Sequence, residues 1–262
     1  MPDSGTIRQY AEVSPPKLPD LHDLVRLWES TFERTVEQVE LHLTRPVPSV
    51  SYRHARANSQ TAFSHAVPFA ALKRGCERLR LETERKINLD VTEFLWDHGE
   101  GRDVRCINID DHRLSLPPGV IRLRKDVIIR VRADFIYLEN RIPKFFWVQP
   151  RRGFALSTHQ LGLMGSALRH TLLRDDDVFG PGYGPMDLEI FDLSVPPGLK
   201  ERVPRVYSSN TLPLVAASDV VEVLQRVVDA FDHVMTKPIN WDAIRSRQPR
   251  KPPSSQDSFD WR

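Results

Sequence analysis

The sequence predicts an α/β (α+β) fold, a mixed central sheet of about four or five strands flanked by helices. Three observations carry that expectation. Apolar residues keep helical spacing near both ends of the chain, over Leu21–Leu43 and Ala217–Met235. Between them the spacing shortens to a period of two, the mark of strands. The resulting order of helix, three strands, helix and strand belongs neither to a helical bundle nor to a β-sandwich.

Composition bounds the reading further. The 262 residues are 40% hydrophobic and 27% charged, which excludes a disordered chain and leaves room for one large domain or two small ones. No apolar run reaches about 18 residues, so no membrane partner is expected. The opening MPDSGTIRQYAEV has neither the basic nor the apolar segment of a secretory signal. Two cysteines, Cys76 and Cys106, are too few for a disulfide framework or a cysteine zinc site, so the expected location is the reducing cytoplasm.

Residues 1–19 carry Pro2, Pro15, Pro16 and Pro19 and read as an extended tail. Residues 20–66 read as a helical elaboration and connector. Its helix runs from Leu21 to Leu43, with Leu21, Leu24, Val25, Trp28, Phe32, Val36, Val39 and Leu43 at helical spacing and Asp20 as N-cap. Pro46 and Pro48 end that helix, and the polar SYRHARANSQ at 51–60 reads as a connector. Residues 67–236 form the core. An arginine-rich helix over Phe69–Lys86 and a shorter piece over Val91–Trp96 lead into a strand at Val104–Ile109.

From Ile121 to Leu138 a long strand is expected. As far as Phe135 its odd positions are nearly all apolar and its even positions nearly all charged. The chain then turns near Asn140–Pro143 and returns through a third strand, Lys144–Arg151. Helix Thr158–Arg174, strand Met186–Leu193 and helix Ala217–Met235 follow, and residues 237–262 read as a proline-rich basic tail.

Charge is uneven along the chain. The formal net charge is +2, yet residues 121–152 hold nine Lys/Arg against three acids, and residues 175–201 hold seven acids against Lys200 alone. The first segment is either a basic nucleic-acid groove or the neutralising neighbour of the second. A hairpin symmetric about Arg141/Ile142 would put Asp134 opposite Gln149 and Arg132 opposite Arg151. Opposed arginines repel, so either Asp134 neutralises them or an anion sits there, phosphate being the natural one. A solvated, ion-paired strand face is the plainer alternative.

An acidic residue on one strand, a motif of Glu-x-Lys form on the next, then a helix and another strand make a known layout. From about Phe69 to Leu193 the chain resembles the PD-(D/E)XK nuclease-like superfamily. The resemblance implies a restriction-endonuclease-like core, with Asp134 as the metal ligand for Mg²⁺. Gln149 and Arg151 fall at the other catalytic positions, giving Gln-x-Arg for Glu-x-Lys. Arg130, Arg132, Arg152 and Gln160 would contact nucleic acid, Gln160 standing where several branches carry a helical glutamine.

The departures change the chemistry. Gln149 lacks the charge that binds a hard cation, and Arg151 cannot give up its proton to act as a base. Pro150 would remove a ladder donor from a central strand. Two functions are therefore expected as alternatives. One is a nucleic-acid-binding protein, a Mg²⁺-dependent nuclease if Glu82, Glu84, Glu139, Asp110 or Asp111 replaces the missing acid. The other is a non-catalytic interaction or scaffold subunit that uses the same fold to hold a protein partner.

Overall fold

A computed structural model describes residues 18–44, 51–107, 119–153, 155–173, 182–196 and 198–236. The two expected tails lie outside the described residues, apart from Leu18 and Pro19, and so do Asp110 and Asp111.

The first expected helix is two, α1 (Leu21–Leu27) and α2 (Phe32–Thr44). Asp20 caps α1, accepting the Asp23 N–H at 3.0 Å. Trp28 then turns extended, and the Thr31 hydroxyl accepts the Arg34 N–H, so side-chain caps restart the helix where the apolar spacing runs on unbroken. Residues 51–60 are not a plain connector. They contain α3 (Arg53–Ala57) and the start of α4 (Ser59–Phe63), helices too short to display a period. Buried Asn88 fixes α3 by accepting the Ala55 N–H at 2.9 Å.

The next two helical pieces regroup as α5 (Phe69–Glu77) and α6 (Glu82–Gly99). Arg85 folds back to donate to the Leu79 and Arg80 carbonyls in the break between them. The remaining elements are β1 (Val104–Ile107), β2 (Gly119–Arg122), β3 (Ile128–Val131), β4 (Phe135–Glu139), β5 (Ile142–Gln149), α7 (Thr158–Leu172), β6 (Asp187–Asp192), β7 (Arg205–Ser208) and α8 (Ala217–Thr236).

The single strand expected over Ile121–Leu138 is thus corrected to parts of three strands. β2 and β3 pair as a separate antiparallel hairpin with Ile121 opposite Ile129, and β4 joins the main sheet. That sheet has five strands in the order β1-β4-β5-β6-β7. Its neighbours are antiparallel except β5 and β6, the parallel pair that α7 connects. A mixed sheet between helices is the α/β fold that the sequence predicts.

Alternation along β5 divides the interior. Phe145 and Trp147 enter a core shared with α1, α2, α7, α8 and the β2–β3 hairpin. Phe146 and Val148 enter a second core with α3, α4, α5 and α6, where Phe63, Phe135, Tyr137 and Phe146 pack ring against ring. Each such ring, fully buried, contributes on the order of 2–3 kcal/mol. The sheet therefore lies between two helical layers.

Asn140 and Arg141 close the β4–β5 turn with positive φ of 52° and 63°. Glu139 pairs with Ile142 and Phe135 with Phe146, two residues away from the register expected for Arg141/Ile142 symmetry. Asp134 lies one residue before β4, where its N–H donates to the Phe146 carbonyl at 2.8 Å, and no ladder pair sets it opposite Gln149. The slip is even, so the paired residues of β4 and β5 keep their faces, but Asp134 stands outside the paired strand and turns to Arg56 of the α3 layer. Pro150 stands just beyond β5, where its carbonyl accepts Arg202 Nη1 at 2.8 Å, so the strand loses no ladder donor. Among the described residues, no helix is long and apolar enough to cross a membrane.

Candidate functional site

A cavity of about 710 Å³ opens where β5 ends. That place lies beyond the carboxyl end of the parallel pair, where open α/β sheets commonly hold ligands. Its floor is made of buried residues, Leu21 and His22 of α1, Trp147 and Gln149 of β5, and Met164 and Leu168 of α7. Arginines stand above the floor. Arg53 and Arg56 come from α3, Arg130 from β3, Arg132 from the segment after β3, and Arg151 from just past β5. Ile129 and Val131 face the core, and the period of two then turns Arg130 and Arg132 outward.

Two of the five arginines are neutralised. Arg151 Nη1 donates to Asp23 Oδ1 at 2.5 Å, and its Nη2 lies 3.5 Å from Asp20 Oδ2. Burial alone would raise the Asp23 carboxyl, but hydrogen bonds from His22 and Arg151 outweigh it and hold the group well below the usual carboxylate range. Arg56 reaches Asp134 Oδ1 through Nε and Nη2, both at 2.9 Å. Arg53, Arg130 and Arg132 meet no carboxylate among the described residues. Three like charges around one opening repel one another, and an anion removes that cost.

The residues singled out in the sequence divide into two groups. Arg130, Arg132, Gln149 and Arg151 line the cavity together. Asp134 lies behind it, with Oδ1 on Arg56 and Oδ2 accepting the Val148 N–H at 2.8 Å. Gln149 turns to the other helical layer, where its amide meets His22 Nε2, and its Oε1 accepts the Arg151 N–H at 3.3 Å. Arg152 points away, donating to the Lys200 carbonyl at 2.6 Å. Gln160 closes a capping box with Ser157 at the start of α7 and donates to the Arg26 carbonyl, and it does not line the cavity.

These residues do not fit a Mg²⁺ ion. Asp134 and Gln149 engage opposite helical layers, each oxygen of Asp134 already accepts a donor, and the nearest charges are guanidinium cations. Asp20, His22 and Asp23 bring potential ligand atoms within 4.8 Å of one another, but the Arg151 guanidinium sits on both carboxylates. Of the acids considered as replacements, Glu84 accepts the Ser51 N–H. Glu139 belongs to a second, distant cluster. There Arg102 holds Glu139 at 2.7 Å and Glu189 at 3.2 Å, Tyr137 donates to Glu189 at 2.9 Å, and His98 lies 2.8 Å from Glu189. Every member of that cluster is partnered within the protein.

The described acids of β6 form no ion pair with the basic segment, and Asp175, Asp176 and Asp177 lie outside the described residues. Glu189 pairs with Arg102 and Asp192 with Arg205, while Asp187 accepts backbone N–H groups. Sequence reasoning missed Tyr52, Arg53 and Arg56, and it missed His22 and Asp23 as partners of Gln149 and Arg151. The basic, tyrosine-bearing SYRHAR and the Asp-x-His-Asp at the start of α1 were the available signals.

Comparison with protein-family models, with curated proteins and with solved structures returns no match for this chain.

Proposed function

We propose that this protein binds nucleic acid through phosphates held in the arginine cavity, on a nuclease-like scaffold that does not cleave. The observation that carries this reading is the lining itself, five arginines of which Arg53, Arg130 and Arg132 have no carboxylate partner among the described residues. Guanidinium forks match phosphate oxygens in a bidentate manner, and a concave basic site concentrates anions. The succession β4, β5, α7, β6 agrees with the layout of the PD-(D/E)XK superfamily and supports the scaffold part of the reading.

Binding without cleavage follows from the state of the three motif positions. Asp134 holds Arg56, Gln149 is tied to His22, and Arg151 is paired with Asp23. None of the three is free to hold a cation or take a proton from water.

The test is fluorescence anisotropy with a labelled oligonucleotide, comparing wild type with the triple variant Arg53→Ala, Arg130→Ala, Arg132→Ala. Affinity should fall by roughly two orders of magnitude or more, since each charged hydrogen bond is worth about 1.5–3 kcal/mol. A triple variant that binds as wild type does would overturn the reading. Strand scission in Mg²⁺ or Mn²⁺ that disappears in Asp134→Asn would instead establish the metal-dependent nuclease.

A further inference from the structure

We infer that the cavity accepts single-stranded nucleic acid, with one unstacked base lodged inside while the backbone crosses the arginine rim. The inference rests on the phosphate reading above and adds the strandedness of the ligand. It comes from the way the cavity is layered. Arg53, Arg56, Arg130 and Arg132 are exposed and mark the rim, whereas Trp147, Gln149, Met164 and Leu168 are buried and mark the floor. A site that served phosphates alone would need no apolar depth beneath its cations.

The volume, about 710 Å³, lies within the range of pockets that enclose a small organic group, roughly 300–1,000 Å³. A stacked duplex presents its bases edge-on inside a stiff cylinder and cannot enter such a recess without unpairing. A single strand turns a base in at little cost.

Aromatic surface is available to receive that base. Tyr52, half-buried, lines the cavity at the start of α3. Its hydroxyl is held from behind, accepting the Arg152 N–H at 3.3 Å and lying 3.4 Å from Arg202 Nη2, and the Arg202 guanidinium stands 5.9 Å from the ring centroid. On the floor of the cavity, buried Trp147 stacks on His22 at 5.9 Å between centroids. Cations that follow the backbone, combined with aromatic platforms for bases, are how single strands are bound without sequence preference.

The experiment measures wild-type protein against three probes of equal length: an oligothymidylate, the same backbone with its bases removed, and the thymidylate–adenylate duplex. The base-bearing strand should bind about tenfold more tightly than the abasic strand or the duplex, the value of one stacked base. In Tyr52→Ala the base-bearing and abasic strands should bind with equal affinity, and in Tyr52→Phe, which keeps the ring, the base-bearing strand should keep its advantage. Equal affinity of wild type for all three probes would overturn the single-strand inference and leave phosphate binding standing. Failure to bind any of them would remove both.

Discussion

Asp134 has two oxygens and gives each a partner, the Arg56 fork and the Val148 N–H. It therefore acts as a clasp between α3 and β5. Asp134→Ala leaves a buried N–H without an acceptor and should cost about 1–3 kcal/mol in denaturant unfolding. Asp134→Asn keeps an acceptor for Val148 and should recover part of the loss. Equal stability of wild type and Asp134→Ala would remove the clasp. Glu189 shows a second kind of residue-scale effect. Burial by itself would raise its carboxyl, but His98 and Arg102 outweigh that and hold it down to about 2, from an ordinary 4.5. A folded-state value below the unfolded one means that the ionised form stabilises the fold above pH 4.5, and the contribution fades as the pH falls from 4.5 to about 2. It amounts to on the order of 3 kcal/mol. Unfolding free energies of Glu189→Gln should therefore depend less steeply on pH across that window. A variant whose slope equals that of wild type would contradict this account.

Among the elements, the β2–β3 hairpin explains why part of the fold was legible and part was not. The hairpin is symmetric about Lys125, so Gly119 faces Val131, and odd residues pair with odd. A period of two passes through such a turn unchanged, which makes a folded hairpin and a straight strand look alike in sequence. Burial and outward-facing arginines were readable there, but connectivity was not. α1 and α2 hid a break in the same way, because a cap at Thr31 leaves the apolar spacing intact. Conversely, α8 was readable almost to the residue, since twenty residues with one buried stripe admit no other reading. The site followed the same rule. Arg130, Arg132, Gln149 and Arg151 lie on periodic strands or next to them and could be grouped, whereas Arg53 and Arg56 arrive on a five-residue helix with no period. Contact between elements gives a further prediction. Gly99 ends α6 directly against the Phe63 carbonyl of α4, so a Cβ at 99 would fall on backbone that cannot yield as a side chain can. Gly99→Ala should cost about 1–3 kcal/mol, seen as a lowered Tm. An unchanged Tm would mean that the packing of α4 on α6 is looser than described.

At the scale of the whole molecule, two cores on opposite faces of one sheet bring α1 and α3 to the same end of β5 from opposite layers. The cavity is the gap between them, and this explains both its floor of core residues and its rim of arginines. It also accounts for Arg151 and Arg56 being held by Asp23 and Asp134 while Arg53, Arg130 and Arg132 meet no carboxylate among the described residues. The central claim, that those three meet nucleic-acid phosphates, is tested most directly by salt. Binding of an oligonucleotide should weaken linearly on a plot of log affinity against log salt. The slope should become shallower by about 0.7 for each of Arg53, Arg130 and Arg132 replaced by alanine, as each lost single-strand phosphate contact removes its share of counterion release. A slope near zero in wild type, or one that the three replacements leave unchanged, would contradict the account.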